Sequence, residues 1–219
     1  MNLFNYNQAL LYDKRTFSEY YLSLLKTNHI LIFTFITKDD YNSGIIKISL
    51  FFFSFSLHYT INSLFFDDSL IHKIYEDKGS FDFIYQIPQI CYSTIISKII
   101  IIFVKFLCLS ETTIISLKNE NYIENSSKIV NCLIAKFIIF YILIFLFLIF
   151  FWYYLGCFCS VFVNTQVYLI KDTLISFGLS LFYPFFLELL PGIFRIPSLR
   201  NKSKNRRCLF LLSKIIQLI

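Results

Sequence analysis

The sequence predicts an all-α, polytopic membrane protein of about four transmembrane helices with a C-terminal interfacial amphipathic helix, and three observations predict it. Of 219 residues, 57% are hydrophobic and 16% charged, whereas soluble domains carry about 25% charge. The apolar residues are gathered into long continuous runs, and a bilayer core of about 30 Å needs roughly 20 helical residues. Finally, the charges between the runs are sorted by side. With five Gly and four Pro beside 28 Phe, collagen-like and Pro/Gly-rich disordered classes are excluded. Codon bias toward Phe, Ile, Lys and Asn can imitate apolar runs, but it does not order the charges.

The runs are continuous rather than alternating, which favours helices over barrel strands. Residues 1–44 form a polar N-terminal segment assigned to the cytoplasm. Met1 to Tyr12 has neither a basic leader nor a long apolar core, so no cleavable signal is expected there. The run Ile30 to Ile36 is too short to cross a bilayer and reads as an interfacial segment or a packed strand.

The first span is placed at 45–66, with Lys47 at its edge, His58 inside it, and Asp67 and Asp68 ending it. The second, 84–110, has Pro88 near its start, where a missing N–H costs little, and contains Lys98 and Lys105. A central Lys costs about 3 kcal/mol, but each apolar neighbour returns about 0.3–0.6, so the helix still inserts. Phe137 to Ile170 carries no charge and as a single helix would overrun one bilayer core by about 20 Å. Trp152, Tyr153 and Tyr154 mark the exit, giving a third span at 136–154 with Gly156 and Asn164 in the connector. The fourth span, 173–194, is expected to kink at Pro184. A basic cytoplasmic tail, 195–219, completes the chain.

Sidedness follows from the charges. After the last span come Arg195, Arg200, Lys202, Lys204, Arg206, Arg207 and Lys214 with no acid. The first loop instead holds Asp67, Asp68, Glu76, Asp77 and Asp82 against Lys73 and Lys78. The positive-inside rule puts the tail in the cytoplasm and the first loop outside. Lys118 and Lys128 place the second loop inside, and four spans return the N-terminus to the cytoplasm. The glycosylation sequons at Asn125 and Asn201 then face the cytosol and stay unmodified.

Little in the chain suggests catalysis. His29, His58 and His72 lie in separate segments without metal-ligand spacing, and no metal or cofactor is expected. Serine-nucleophile, glycine-rich phosphate-loop and HExxH patterns are missing, so no catalytic residue is assigned and the protein is read as a non-enzyme. Cys91, Cys108 and Cys132 suit small buried hydrophobes, and Cys208 is a candidate for lipidation. Charge inside the membrane is the sharpest pointer, because such residues face a bundle interior or a polar path. Lys105 shares a helix face with Lys98, and Glu188 lies in the fourth span. A Lys105 to Glu188 pair is expected, with Lys98 sharing the carboxylate or lining a wet cavity. A pair that fixes helix register is favoured over an ion path.

From Arg206 onward, polar Arg206, Arg207, Ser213, Lys214 and Gln217 alternate at helical spacing with Leu209, Leu211, Leu212, Ile215, Ile216 and Ile219, and Phe210 interrupts the polar face. Such a helix suits the anionic interface, with Arg200, Lys202, Lys204, Arg206, Arg207 and Lys214 contacting lipid headgroups. The partners expected are the lipid bilayer and either other proteins or a second copy of the chain; no nucleic acid is expected.

Several stretches, most of them in loops and at span ends, are Arg15-Thr16-Phe17, Tyr20 to Lys26, Asp40-Tyr41-Asn42-Ser43, His72 to Asp77, Asn164-Thr165-Gln166, Ile175 to Gly178 and Pro191 to Arg195. In them the chain resembles a family of multi-pass membrane modules of ciliate-type protists, to which no activity is assigned. The resemblance implies a membrane region that also occurs at the C-terminus of larger chains. A membrane anchor or assembly module is therefore the first expectation for function. A small channel or transporter subunit using Lys98, Lys105 and Glu188 is the second.

Overall fold

The computed structural model describes residues 5–38, 40–78, 83–109, 113–114, 123–200 and 206–218, and these contain helices and turns with no strand. Four stretches are long and apolar enough to cross a membrane, Gly44–Leu64, Phe83–Cys108, Ser127–Val161 and Val163–Arg200. The chain divides into two compact units, residues 38–180 and residues 1–37 with 181–219.

In the unit of residues 38–180, α3 (Gly44–Leu64) packs against α5 (Phe83–Cys108) and α6 (Ile123–Val161). Phe53 of α3 sits against Phe147 and Phe151 of α6, with ring centroids 6.0 and 5.9 Å away. The short α4 (Asp68–Glu76) begins at Asp67, whose carboxylate accepts from Leu70 N at 2.8 Å and Ser69 Oγ at 2.9 Å. These bonds stabilise the charged form and hold the Asp67 carboxyl below its ordinary value. Leu70 and Ile74 of α4 join Phe66, Leu155, Phe158, Tyr168 and Leu169 in one apolar cluster.

Two boundaries differ from the sequence reading. The third helix does not end at the Trp-Tyr-Tyr belt but continues through Gly156 to Val161, so Gly156 belongs to α6 and not to the connector. A belt marks where a helix leaves hydrocarbon, not where its backbone bonds stop, and one internal Gly costs only about 1 kcal/mol. The break falls at Phe162, followed by a single 3₁₀ turn, Val163–Thr165. There Gln166 Nε2 donates to Cys159 O (3.0 Å) and Thr165 Oγ1 to Phe162 O (2.8 Å), satisfying carbonyls that the helix end leaves open.

The fourth stretch begins earlier than 173. Helix α7 is Gln166–Leu187 and draws Lys171 and Asp172 into its first turns. It stops at Glu188, and α8 (Leu189–Arg200) follows. Pro191 supplies the reason, since it has no N–H to offer the Leu187 carbonyl one turn back.

The unit of residues 1–37 and 181–219 is also helical. Both of its first helices start with capping boxes: Asn5 with Gln8 for α1 (Tyr6–Tyr12), and Thr16 with Glu19 for α2 (Phe17–Asn28). The run 30–36, for which a strand was one expectation, is helical, with a π-helical turn at Ile32–Ile36. Helices α2 and α8 approach closely at Gly192, where a Cβ would stand 2.7 Å from the Phe17 ring. The last helix, α9 (Arg206–Leu218), packs along α8.

Candidate functional site

The interior of the 38–180 unit is polar along one seam. On α3, Ser54, His58 and Asn62 recur every fourth residue and are all buried. On α5 the buried polar residues are Gln86, Ser93 and Ser97; on α7 they are Asp172, Thr173 and Ser176. Two seam hydroxyls bond on their own helices, Ser93 Oγ donating to Ile90 O (3.0 Å) and Ser176 Oγ to Thr173 O (3.2 Å), whereas Ser97 Oγ is buried with no hydrogen-bond partner among the described residues. The amides and the carboxylate instead bond between helices.

Gln89 Nε2 donates to Asn62 O at 3.2 Å and to Asp172 Oδ2 at 2.9 Å, so one amide nitrogen ties α3, α5 and α7 together. Asn62 Nδ2 donates to Ser176 Oγ at 2.6 Å and, more distantly, to Thr173 Oγ1 at 3.5 Å. One turn before Gln89, Gln86 Nε2 donates to Tyr168 OH at 2.8 Å, and Tyr168 lies one turn before Asp172. The remaining terminal atoms, Asp172 Oδ1, Asn62 Oδ1 and Gln86 Oε1, are buried and have no hydrogen-bond partner among the described residues. All three are oxygens. Asp172 and Asn62 are 0% exposed and Gln86 is 1% exposed, so each oxygen carries a desolvation cost of about 1–3 kcal/mol, more for a charged one. Nearby, His58 Nδ1 lies 2.8 Å from Ser54 O, while its Nε2 is buried with no hydrogen-bond partner among the described residues.

A second charged cluster belongs to the unit of residues 1–37 and 181–219. Arg195 is completely buried and donates to Asp13 Oδ2 from Nε (3.1 Å) and Nη2 (2.9 Å). Arg15 grips the same carboxylate from Nε (2.7 Å) and Nη2 (2.8 Å). The Arg195 guanidinium lies 5.0 Å from the centroids of both Tyr20 and Phe210, within cation–π range. Burial pushes the Asp13 carboxyl up, but the bonds from Arg15 and Arg195 outweigh it and hold the group below its ordinary value. Arg195, counted in the sequence among the basic tail, is thus an internal structural ion.

Among the residues singled out in the sequence, Lys98 and Lys105 are half-buried on α5 in the 38–180 unit. Glu188 belongs to the other unit, at the break between α7 and α8, where its Oε1 accepts from Asn28 Nδ2 at 2.7 Å. Of the headgroup candidates, Arg200 Nη2 donates to Lys14 O (3.3 Å) and Arg15 O (3.1 Å). Arg207 and Lys214 lie 5.9 Å from Tyr6 and 5.7 Å from Phe210 by ring centroid. Lys202, Lys204 and the Arg206 side chain lie outside the described residues, as does the sequon at Asn201.

Phe210 was expected to spoil the polar face of the last helix. It is instead that face's anchor, 1% exposed, with Ser213 buried beside it and the Tyr6 ring 5.4 Å away. The helix turns its mixed face inward and leaves Leu211, Leu212 and Ile215 uncovered.

Sequence reasoning followed Lys and Glu and missed the Asn62, Gln86, Gln89 and Asp172 cluster. The signal was there as polar residues at four-residue spacing: Ser54, His58, Asn62 and Tyr168, Asp172, Ser176.

Among the described residues the regular elements are all helical, and four stretches of spanning length and apolarity define the chain as an all-α polytopic membrane protein. Comparison with known protein families, with curated proteins and with solved structures finds no match.

Proposed function

We propose that the protein is a membrane anchor or assembly module with both termini on the cytoplasmic side. The supporting observation is the apolar surface that the chain does not cover itself. Half of the spanning window of α3 is buried within the protein, against 22% for α5 and 11% for α6. Lipid chains and neighbouring helices are the partners such faces accept. The last helix adds a surface contact, since Leu211, Leu212 and Ile215 are 59%, 39% and 57% exposed, next to a basic segment that suits anionic headgroups. The resemblance to membrane modules of larger chains supports the same reading.

A soluble reporter fused to the chain tests the anchor. It should remain in the membrane pellet after alkaline carbonate extraction, and release into the supernatant would refute the reading. An environment-sensitive dye on Leu211→Cys should shift to shorter wavelength with phosphatidylserine vesicles. An unchanged spectrum would remove the last helix from the interface.

A second reading, a small channel or transporter subunit, is favoured by the unpartnered oxygens around Asp172 and by charge at Lys98, Lys105 and Glu188. Flux through reconstituted vesicles, lost on Glu188→Gln with folding intact, would select it over the anchor.

A further inference from the structure

We propose that the Asn62, Gln86 and Asp172 cluster is a binding site for a monovalent alkali cation of the Na⁺ class. Asp172 Oδ1, Asn62 Oδ1 and Gln86 Oε1 would serve as its protein ligands. The proposal goes beyond the anchor reading and does not depend on it, because a bound ion can lock three helices together or move through them.

The chemistry of the donor set carries the inference. Each of the three residues is fixed by its other terminal atom, Asp172 Oδ2 by Gln89, Asn62 Nδ2 by Ser176 and Gln86 Nε2 by Tyr168. What each leaves over is an oxygen, buried and without a partner among the described residues. These three leftover atoms are all acceptors, a local surplus of negative potential, and a hard cation takes oxygen ligands of this type.

Placement points the same way. Gln89 Nε2 holds Asn62 O and Asp172 Oδ2 on one atom, while Gln86 and Tyr168 form the adjacent layer one turn away on the same two helices. The helices α3, α5 and α7 thus each contribute one of the unpartnered oxygens. Ion pairing does not neutralise Asp172, since no Lys or Arg among the described residues is in salt-bridge contact with it. One carboxylate matches a single positive charge, whereas Ca²⁺ favours six to eight oxygens with several carboxylates.

The test is equilibrium binding of radioactive Na⁺ to the purified full-length chain in detergent, with choline as the inert cation. Wild type should show one saturable site and a higher melting temperature in Na⁺ than in choline. Asp172→Asn is nearly isosteric and can still accept from Gln89; it should weaken binding about tenfold or more and abolish the melting shift. Should Asp172→Asn fail to give a monodisperse protein, Gln86→Met takes its place: weaker Na⁺ binding supports the site and unchanged binding overturns it. Absence of saturable binding in folded wild type also overturns it. So does an infrared carboxylic acid band of Asp172 that saturating Na⁺ leaves unchanged, because a proton would then hold the carboxylate.

Discussion

Arg195 heads the fully enclosed side chains by volume among the described residues, and it is charged. A buried ion persists only when a partner and hydrogen bonds offset its desolvation, and removing one partner leaves the other uncompensated, at about 3–5 kcal/mol. Asp13→Ala should therefore lower stability by that order in a denaturation series in detergent. Asp13→Asn, which keeps the shape, should cost less. The folded carboxyl lies below its ordinary value of 3.8, so its contribution is fully present above about pH 4 and is lost as pH falls through the lower, folded value. Wild type should keep this contribution from neutral pH down to about pH 4, and Asp13→Asn should show a shallower acid limb in a melting-temperature profile. None of this was legible in the sequence, where Asp13 and Arg195 stand 182 positions apart and Arg195 looks like one more basic residue of a tail. Asp172 escaped for a different reason: an expected span beginning at 173 left it just outside the membrane.

At the scale of elements, hydropathy located the spanning helices because continuous apolar runs are dictated by the bilayer itself. Helix α3 runs Gly44–Leu64 where 45–66 was expected, and α5 runs Phe83–Cys108 where 84–110 was expected. Ends set by local backbone chemistry were harder to read. The break at Glu188 follows from Pro191, three residues further on, while the Pro184 expected to mark a kink is accommodated inside α7. The last helix shows how one apolar residue on a polar face can be its point of attachment. Phe210→Ala should cost about 3–5 kcal/mol and expose 206–218 to limited proteolysis, whereas Leu211→Ala should leave the proteolysis pattern unchanged. Equal sensitivity in both variants would mean that the helix docks through its other face.

For the whole molecule, the proposed topology rests on the charges between the spans, and the proposed cation site on the buried polar seam. The seam is invisible to a hydropathy count because Ser, Thr, Asn and Gln scattered through an apolar run lower its average only slightly. Helical spacing gathers them onto one side. Sidedness makes a prediction at Asn125: expressed in a glycosylation-competent membrane, the chain should carry no glycan there, and a glycosidase-sensitive mass shift lost on Asn125→Gln would place the second loop on the wrong side. The most direct measurement is single-cysteine labelling on a cysteine-free background, with a membrane-impermeant maleimide applied to sealed vesicles of known orientation. Asp77→Cys, in the loop proposed to lie outside, should react from the outer face and a retained Cys208 only after permeabilisation. Cys208 reacting from the outer face, or both sites reacting from one side, would contradict four spans with cytoplasmic termini.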